Sequence, residues 1–428
     1  MSASTTNGAA TALGHLRICD FTGQLAGAGS TKWMAAFGAE VIRIEDPVAQ
    51  GRWDLLRGLP PFVDARRGNE LGGGYNNHNV GKLGITLNLR TPRAKELLSE
   101  LISVSDVVTE NFAAGVLERM GFGWSELQSI KPDIIYVSNC GFGHQGPYRT
   151  FKTWGPIVQA CCGLSFSSGL AGHEPAGYGF SFMDHHGASF MAIAILSGVL
   201  HRNRTGEGQW IDMSCTDAGA TMIGPAVLDG TVNGRLLRRD GSPNSNRSQH
   251  PAMAPHGIFR CRDTPGGPAI GDPTGDDNWV AFACRSESDW SIIASMMNIT
   301  DSRFADVAGR LAFEDELEAV ITRWTRERDR IDVAALLSAA GVPASIVARP
   351  IDRIDNDLNT AEWGLWPTVE HLEMGRVRVD GLPVHLSKTD WSMTDGAPLL
   401  GEDNERVFGT ILGLTSTEIA ALRTDGVI

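Results

Sequence analysis

The chain has 428 residues, 42% of them hydrophobic and 20% charged, with a formal net charge of -13. That length supports two or three domains with sizeable cores, and the composition is that of an ordinary globular protein. No stretch gathers the Lys and Arg that a phosphate backbone demands, which excludes nucleic acid as a partner.

In chain order, residues 1–13 read as a loose tail, without the basic flank and apolar run of a signal peptide. Strand-like runs follow at 16–21, 40–45, 84–89, 105–109 and 133–138, separated by helix-like segments at 30–37, 92–102, 116–120 and 124–130. Thr91-Pro92 supplies a helix N-cap and a first-turn proline. This alternation, with 50 glycines placed largely in loops, predicts a doubly wound parallel sheet with helices on both faces. A helix is expected over 184–200, a turn at Thr205-Gly206-Glu207-Gly208, a strand over 209–213 and a second long helix over 217–232. The polar stretch 231–250 reads as a linker. Beyond it, strands at 257–261 and 278–284 and helices at 290–297, 313–325 and 333–340 suggest a smaller α+β domain at 251–350. Residues 351–428 return to the large Rossmann-like domain begun at 14–230, closing with helices at 405–412 and 416–423.

Seven scattered cysteines with no CxxC pair read as reduced, mostly buried thiols of a cytoplasmic protein. The apolar run 190–200 is too short to span a membrane and reads as a core helix, so no membrane partner is expected.

The opening segment LRICDFTGQLAGAGSTKWMAAFGAEVIRIE invites a dinucleotide reading, with Glu45 where a ribose-binding acid would stand. The fingerprint is defective, however. Gly27-Ala28-Gly29 lacks its third glycine, and five residues separate Phe21 from Gly27. A glycine-rich turn for close helix–strand packing explains the same residues, and free amides at a helix start would suit any carboxylate or phosphate. Asp184 follows aromatic and apolar residues and precedes an apolar helix, so it reads first as an N-cap. The same setting suits a nucleophile, because a helix start favours the charged carboxylate while apolar neighbours strip its water. His185 and His186 point different ways on a helix and have no third ligand at a suitable spacing, so no metal is expected. No GxSxG, HExxH or P-loop occurs.

Together, DFTGQLAGAG, FGAEVIRIE, GKLGITLNLRTPRAKELL, TENFAAGVLERMGFGW, NCGFGHQGPYR, WGPIVQACCGLSFSSG, RTGEGQWIDMS and the closing APLLGEDNERVFGTILGLTSTEIAALRTDGVI resemble the class III CoA-transferases, the CaiB–BaiF type that includes formyl-CoA transferase. The resemblance covers nearly the whole chain, with its motifs in the family's order. It implies an α/β fold with a Rossmann-like large domain, a smaller inserted domain and an interlocked dimer. It implies that Asp184, a fixed distance before the TGxGQ turn, is the catalytic nucleophile, with coenzyme A as the thioester substrate and no metal. Lys82, Asn111, Phe112, Lys152 and Gln159 fall at family CoA-binding positions, Lys82 as a counter-charge to the nucleotide phosphates. Ala26, Gly27 and Leu89 complete the implied set.

Several positions depart from the family pattern: Val80 stands where an arginine is frequent, and Ala113-Ala114 where Arg-Pro follows the ENF motif. Formyl-CoA transferase has an acid at the place of Gly155 and a glutamine at that of Leu25; its four-glycine lid is reduced to Gly266-Gly267. A larger, more apolar acid than formate or oxalate would fit these changes, as would a heteromer in which a paralogous subunit supplies contacts. Two rival readings remain from the sequence: an acyl-CoA racemase using Asp184 with His185 or His186, and a CoA-binding subunit without turnover.

Overall fold

A computed structural model describes residues 11–170, 172–179, 181–234, 245–249, 251–263 and 278–428. Most of the expected tail, most of the expected linker and Gly266-Gly267 lie outside the described residues. The chain divides into two compact units, one of 1–167, 176–236 and 359–428, the other of 168–175 and 237–358.

In the first unit the strands β1 (Arg17–Asp20), β2 (Glu40–Glu45), β3 (Leu83–Thr86), β4 (Val107–Glu110), β5 (Ile135–Cys140) and β6 (Gln209–Ser214) pair in parallel in the order β3-β2-β1-β4-β5-β6. The helices are α1 (Ala28–Ala36), α2 (Gly73–Asn79), α3 (Pro92–Ser103), α4 (Val116–Arg119), α5 (Trp124–Ile130), α6 (Gly155–Cys161), α7 (Phe182–Thr205), α8 (Cys215–Ala220) and α9 (Gly224–Asn233). Strand side chains alternate between two cores: Ile18, Val41, Val107, Ile135 and Val137 pack with Met191, Ile195 and Val199 of α7. Cys19, Ile42, Val108 and Tyr136 face the opposite core with Leu97, Leu98 and Leu101 of α3. Helix α3 starts as its sequence dictates. The Thr91 hydroxyl accepts the Ala94 N–H at 3.2 Å, a cap that contributes about 1 kcal/mol. Its buried face is Ala94, Leu97, Leu98, Leu101 and Ile102, the spacing of one helical stripe.

The single helix expected over 217–232 is broken. α8 ends at Ala220, a tight turn spans Thr221–Ile223, and α9 restarts at Gly224 with Pro225 in its first turn. Proline lacks the N–H that a continuous helix would need there. The returning segment adds an antiparallel hairpin of β12 (Thr368–His371) and β13 (Gly375–Arg378).

The second unit holds a short hairpin of β7 (Ser248–Gln249) and β8 (Ala252–Met253) and a three-stranded antiparallel sheet. In that sheet β10 (Trp279–Ala283) lies between β9 (His256–Arg260) and β11 (Ala344–Ile346). Helices α10 (Glu287–Met297), α11 (Val307–Ala312), α12 (Glu314–Thr325), α13 (Arg330–Ala339) and α14 (Pro350–Asp355) accompany it. Its core joins Phe259, Val280 and Phe282 to Ile293, Leu317, Ile321, Val333 and Leu337. The chain then runs through α15 (Leu358–Glu362) and the β12–β13 hairpin to a π-helical segment at Glu405–Ile411 and α16 (Ser416–Thr424).

No described helix is long and apolar enough to cross a membrane. All seven cysteines are free, six of them buried and Cys161 exposed.

Candidate active site

Strand order reverses direction between β1 and β4, and ligands of such sheets settle at the carboxyl ends of the strands flanking that point. The loops leaving β1, β4 and β5 there enclose a cavity of about 490 Å³. Gly23, Gln24 and Ala26 come from the first loop and Asn111, Phe112 and Ala113 from the second, while Asn139 and Cys140 end β5 and Gly141 begins the third. The segment Phe151–Trp154, Val158, Asp184 and Cys215 close the remaining side.

Asp184 sits in the first turn of α7 but is not its N-cap. Ser181 occupies that place, in a left-handed conformation with φ 51°, and Asp184 is the third helical residue. The Ser181 hydroxyl and the Gly155 N–H both hydrogen-bond the Asp184 carboxylate. Burial outweighs these bonds and the nearby His185, and it raises the carboxyl above its ordinary value of 3.8. Such a carboxylate is poorly solvated and correspondingly more nucleophilic. A Cβ at Gly155 would lie 2.3 Å from Asp184 Oδ2, so the carboxylate occupies the space that any side chain at 155 would fill. Gln24, at the cavity wall, is a second non-glycine residue in the left-handed region, at φ 54°. Such residues cost about 1–3 kcal/mol and concentrate where a site holds backbone against its preference.

Two thiols share the cavity. Burial first, then neighbouring acids, push Cys140 and Cys215 up to about 12, so both stay protonated where the carboxylate carries charge. Asn139 is nearly fully buried, and its amide nitrogen reaches the Ala26 carbonyl at 3.4 Å. Its Oδ1 has no hydrogen-bond partner among the described residues, leaving one acceptor at the cavity wall.

Of the residues singled out from the sequence, Asp184, Ala26, Asn111, Phe112 and Lys152 line this cavity. Lys152 is its one Lys or Arg among the described residues. Asn111 also braces the β1 loop: its Oδ1 accepts the Gly23 N–H at 2.8 Å and its amide donates to the Gly23 carbonyl at 3.0 Å. Gly27 makes room for that brace, since a Cβ there would fall 2.6 Å from Asn111 Cγ. Leu89 lines an adjoining cavity of about 250 Å³ with Arg90, Leu87 and Met120; Trp53 and Phe112 border both cavities, their rings 5.3 Å apart.

The structure sends three residues elsewhere. Lys82 is completely buried, its ammonium 3.2 Å from Asp20, 2.9 Å from Asn79 Oδ1 and 3.1 Å from the Ala28 carbonyl. With its donors spent on the core, it offers none to a phosphate, and the counter-charge expected of it is replaced by a structural role. Gln159 is buried and its side-chain nitrogen lies 3.4 Å from Ser165 Oγ, outside the cavity lining. Glu45 is held by Arg57 at 2.5 Å inside the protein, which removes it as a ribose ligand. Neither histidine after Asp184 lines the cavity: His186 Nε2 contacts the Ala218 carbonyl at 3.0 Å, and His185 packs on the His78 ring at 5.5 Å. Sequence reasoning missed Trp53, Asn139 and Cys215: Asn139 opens the NCGFGHQGPYR motif but was not singled out there, and the other two lie outside the quoted motifs.

The profile of CoA-transferase family III matches residues 13–404. The chain is 28% identical to the succinyl-CoA–D-citramalate CoA-transferase of Chloroflexus aurantiacus, over 97% of this chain and 98% of that one. It is 30% identical to the succinyl-CoA:mesaconate CoA-transferase of Haloarcula marismortui, over 91% and 94%. With the formyl-CoA:oxalate CoA-transferase of Bradyrhizobium diazoefficiens it shares 30% over 97% of each. The crystal structure of a CaiB/BaiF family protein from Brucella suis superposes with a TM-score of 0.82 at 27% identity, covering 94% of this chain and 99% of that one. The chain therefore belongs to CoA-transferase family III and is an enzyme of the class III CoA-transferase type.

Proposed function

We propose that this enzyme moves CoA from succinyl-CoA to a free carboxylic acid through an aspartyl-CoA thioester on Asp184. One observation carries the reading: a partly desolvated carboxylate, oriented by Ser181 and Gly155, faces a cavity whose other ionisable wall residues, among the described residues, are two protonated thiols and Lys152. Asp184 Oδ attacks the donor's thioester carbonyl, the C–S bond breaks, and CoA thiolate leaves a mixed anhydride. The thiolate then attacks Asp184 Cγ, releasing the donor acid and forming the aspartyl thioester. The acceptor carboxylate attacks this thioester, again displacing the thiolate; attack of the thiolate on the acceptor's carbonyl regenerates Asp184 and yields the new acyl-CoA. Thioester energy is conserved throughout.

Each addition places negative charge on a carbonyl oxygen, and we assign to it the Gly155 N–H, which bonds the Asp184 carboxylate, with the amides of the Ala26–Gly27 turn. The cavity and its neighbour meet at Trp53 and Phe112, and we assign CoA to this continuous path within the large part of the chain, 14–230 and 351–428, with Asn111, Phe112, Lys152, Ala26 and Leu89 as contacts. Two relatives named for succinyl-CoA support the donor. Trp154, Val158 and Phe151 beside the bare Gly155 favour an acceptor larger and more apolar than formate or oxalate. An interlocked cytoplasmic homodimer belongs to the same proposal. The racemase reading needs an acid/base partner for Asp184, and among the described residues no histidine lines the cavity. Purified enzyme assayed against a panel of acyl-CoAs and carboxylates tests the proposal. Transfer from succinyl-CoA, lost in Asp184→Ala with CoA affinity kept, supports it; full transfer by that variant refutes it.

A further inference from the structure

We propose that Cys140, His144 and Asp212 form a site for a thiophilic divalent cation of the zinc type, at the wall of the Asp184 cavity that Cys140 lines. The three donors come from the end of β5, the turn after it and the middle of β6, neighbours in the sheet: Ser138 pairs with Asp212 and Cys140 with Ser214. Cys140 Sγ lies 3.7 Å from His144 Nδ1, which lies 2.9 Å from Asp212 Oδ1, and all three atoms fall within 4.8 Å of one another. Zinc bonds of about 2.0–2.3 Å at tetrahedral angles require donor–donor separations of roughly 3.3–3.6 Å. The observed spacings reach that geometry with side-chain adjustments of about 1 Å or less. Ser138 Oγ, 3.5 Å from both His144 Nδ1 and Asp212 Oδ1, marks the fourth corner, where its hydroxyl or a water completes the set.

His144 turns its other ring nitrogen toward buried Glu110, 3.9 Å away and beyond hydrogen-bond distance in this structure. Glu110 is itself held by the Tyr136 hydroxyl at 3.1 Å and the Phe112 N–H at 2.6 Å. The N–H groups of Phe142 and Gly143 hydrogen-bond the Cys140 sulfur, while burial, Glu110 and Asp212 keep the metal-free thiol protonated. Asp212 Oδ2 is fixed by the His144 N–H at 2.9 Å. Ser138 is oriented by the Trp210 indole N–H at 2.9 Å. Of the three donors, His144 also lines a cleft of about 250 Å³ with Glu118, Glu126, Tyr136 and Trp210. A hydrogen-bonded His–Asp pair would not need the sulfur that converges on it. On binding, the cation displaces the thiol proton of Cys140 to solvent and takes Nδ1 of the imidazole, whose remaining N–H at Nε2 faces Glu110.

Full-length protein in metal-free buffer is titrated with Co²⁺ as the optical probe and Zn²⁺ as competitor. The expected result is a thiolate-to-cobalt absorption band saturating at one equivalent and bleached by zinc. Cys140→Ser abolishes the band, and His144→Gln, at a partly exposed position, weakens zinc binding at least tenfold. Cys161→Ser, at the exposed thiol, leaves band and affinity unchanged. Absence of a thiolate band in the wild type, a band that survives Cys140→Ser, or equal zinc affinity in His144→Gln overturns the proposal. Circular dichroism confirms that each variant is folded, and the His144 result decides if Cys140→Ser is not.

Discussion

Substitution of Gly155 by alanine isolates the positioning of the nucleophile from the binding of substrate. The new Cβ would begin 2.3 Å from Asp184 Oδ2 and 3.0 Å from its Cγ, whereas ordinary contact starts at 3.4 Å, so the carboxylate must retreat by about 1 Å. The atom that yields is the far end of a side chain and Gly155 opens α6, where alanine is tolerated, so the fold absorbs the change cheaply. Catalysis does not: displacing a reacting group by 1 Å costs on the order of 10²-fold in rate. Gly155→Ala is therefore expected to lower kcat about 100-fold, to leave KM for acyl-CoA within about threefold, and to keep the wild-type melting temperature. Steady-state transfer followed by chromatographic separation of CoA esters, with thermal denaturation alongside, measures all three. A kcat within threefold of wild type would refute the reasoning, and a raised KM at constant kcat would show that Gly155 shapes binding instead.

Other consequences are as definite. Because burial raises the Asp184 carboxyl, the acid limb of the kcat/KM profile lies above pH 3.8, activity falling as the nucleophile is protonated; a limb at or below that pH contradicts the desolvation. The same shift has a stability sign: the folded state disfavours the ionised form, so its contribution is complete below pH 3.8 and lost as pH rises through the raised value. Asp184→Asn should accordingly melt higher than wild type at pH 7, and the difference should vanish below pH 3.8. Lys82→Met removes the buried partner of Asp20 and should cost roughly 3–5 kcal/mol in denaturant unfolding while changing KM for acyl-CoA little; an unchanged midpoint with a tenfold higher KM would return Lys82 to the phosphates. Phe112→Ala removes a ring shared by both cavities and should raise KM for acyl-CoA about tenfold, the worth of one base-stacking contact, with kcat nearly unchanged.

The sheet was legible because its strands are short apolar runs bounded by glycine and turn residues, and β2 coincides with the expected 40–45 run. Helix α3 was equally plain, since its cap, its proline and its apolar stripe agree. Where local rules failed, a specific residue was overlooked. Asp184 resembles an N-cap by type, but Ser181 three residues earlier makes the S-x-x-D pattern of a helix start and takes that place. Gly224-Pro225 interrupts the expected 217–232 helix, a break the apolar pattern concealed. Within the site, Asn111, Phe112 and Asp184 were recoverable because they sit in recognisable motifs. Trp53 lies in a loop without periodicity, and its pairing with Phe112 exists only in three dimensions. Lys82 is indistinguishable in sequence from a phosphate ligand; only its burial against Asp20 reveals a core ion pair. Cys140, His144 and Asp212 escaped notice for a similar reason, the third donor standing 68 residues from the second on the neighbouring strand.

The covalent relay can be tested directly by mass spectrometry of the intact protein and its peptides after brief incubation with succinyl-CoA. The expected result is a CoA-sized addition on the peptide carrying Asp184, released by hydroxylamine and missing in Asp184→Asn. Steady transfer by wild-type enzyme with no trappable addition at Asp184, or an addition that persists in the asparagine variant, would contradict it.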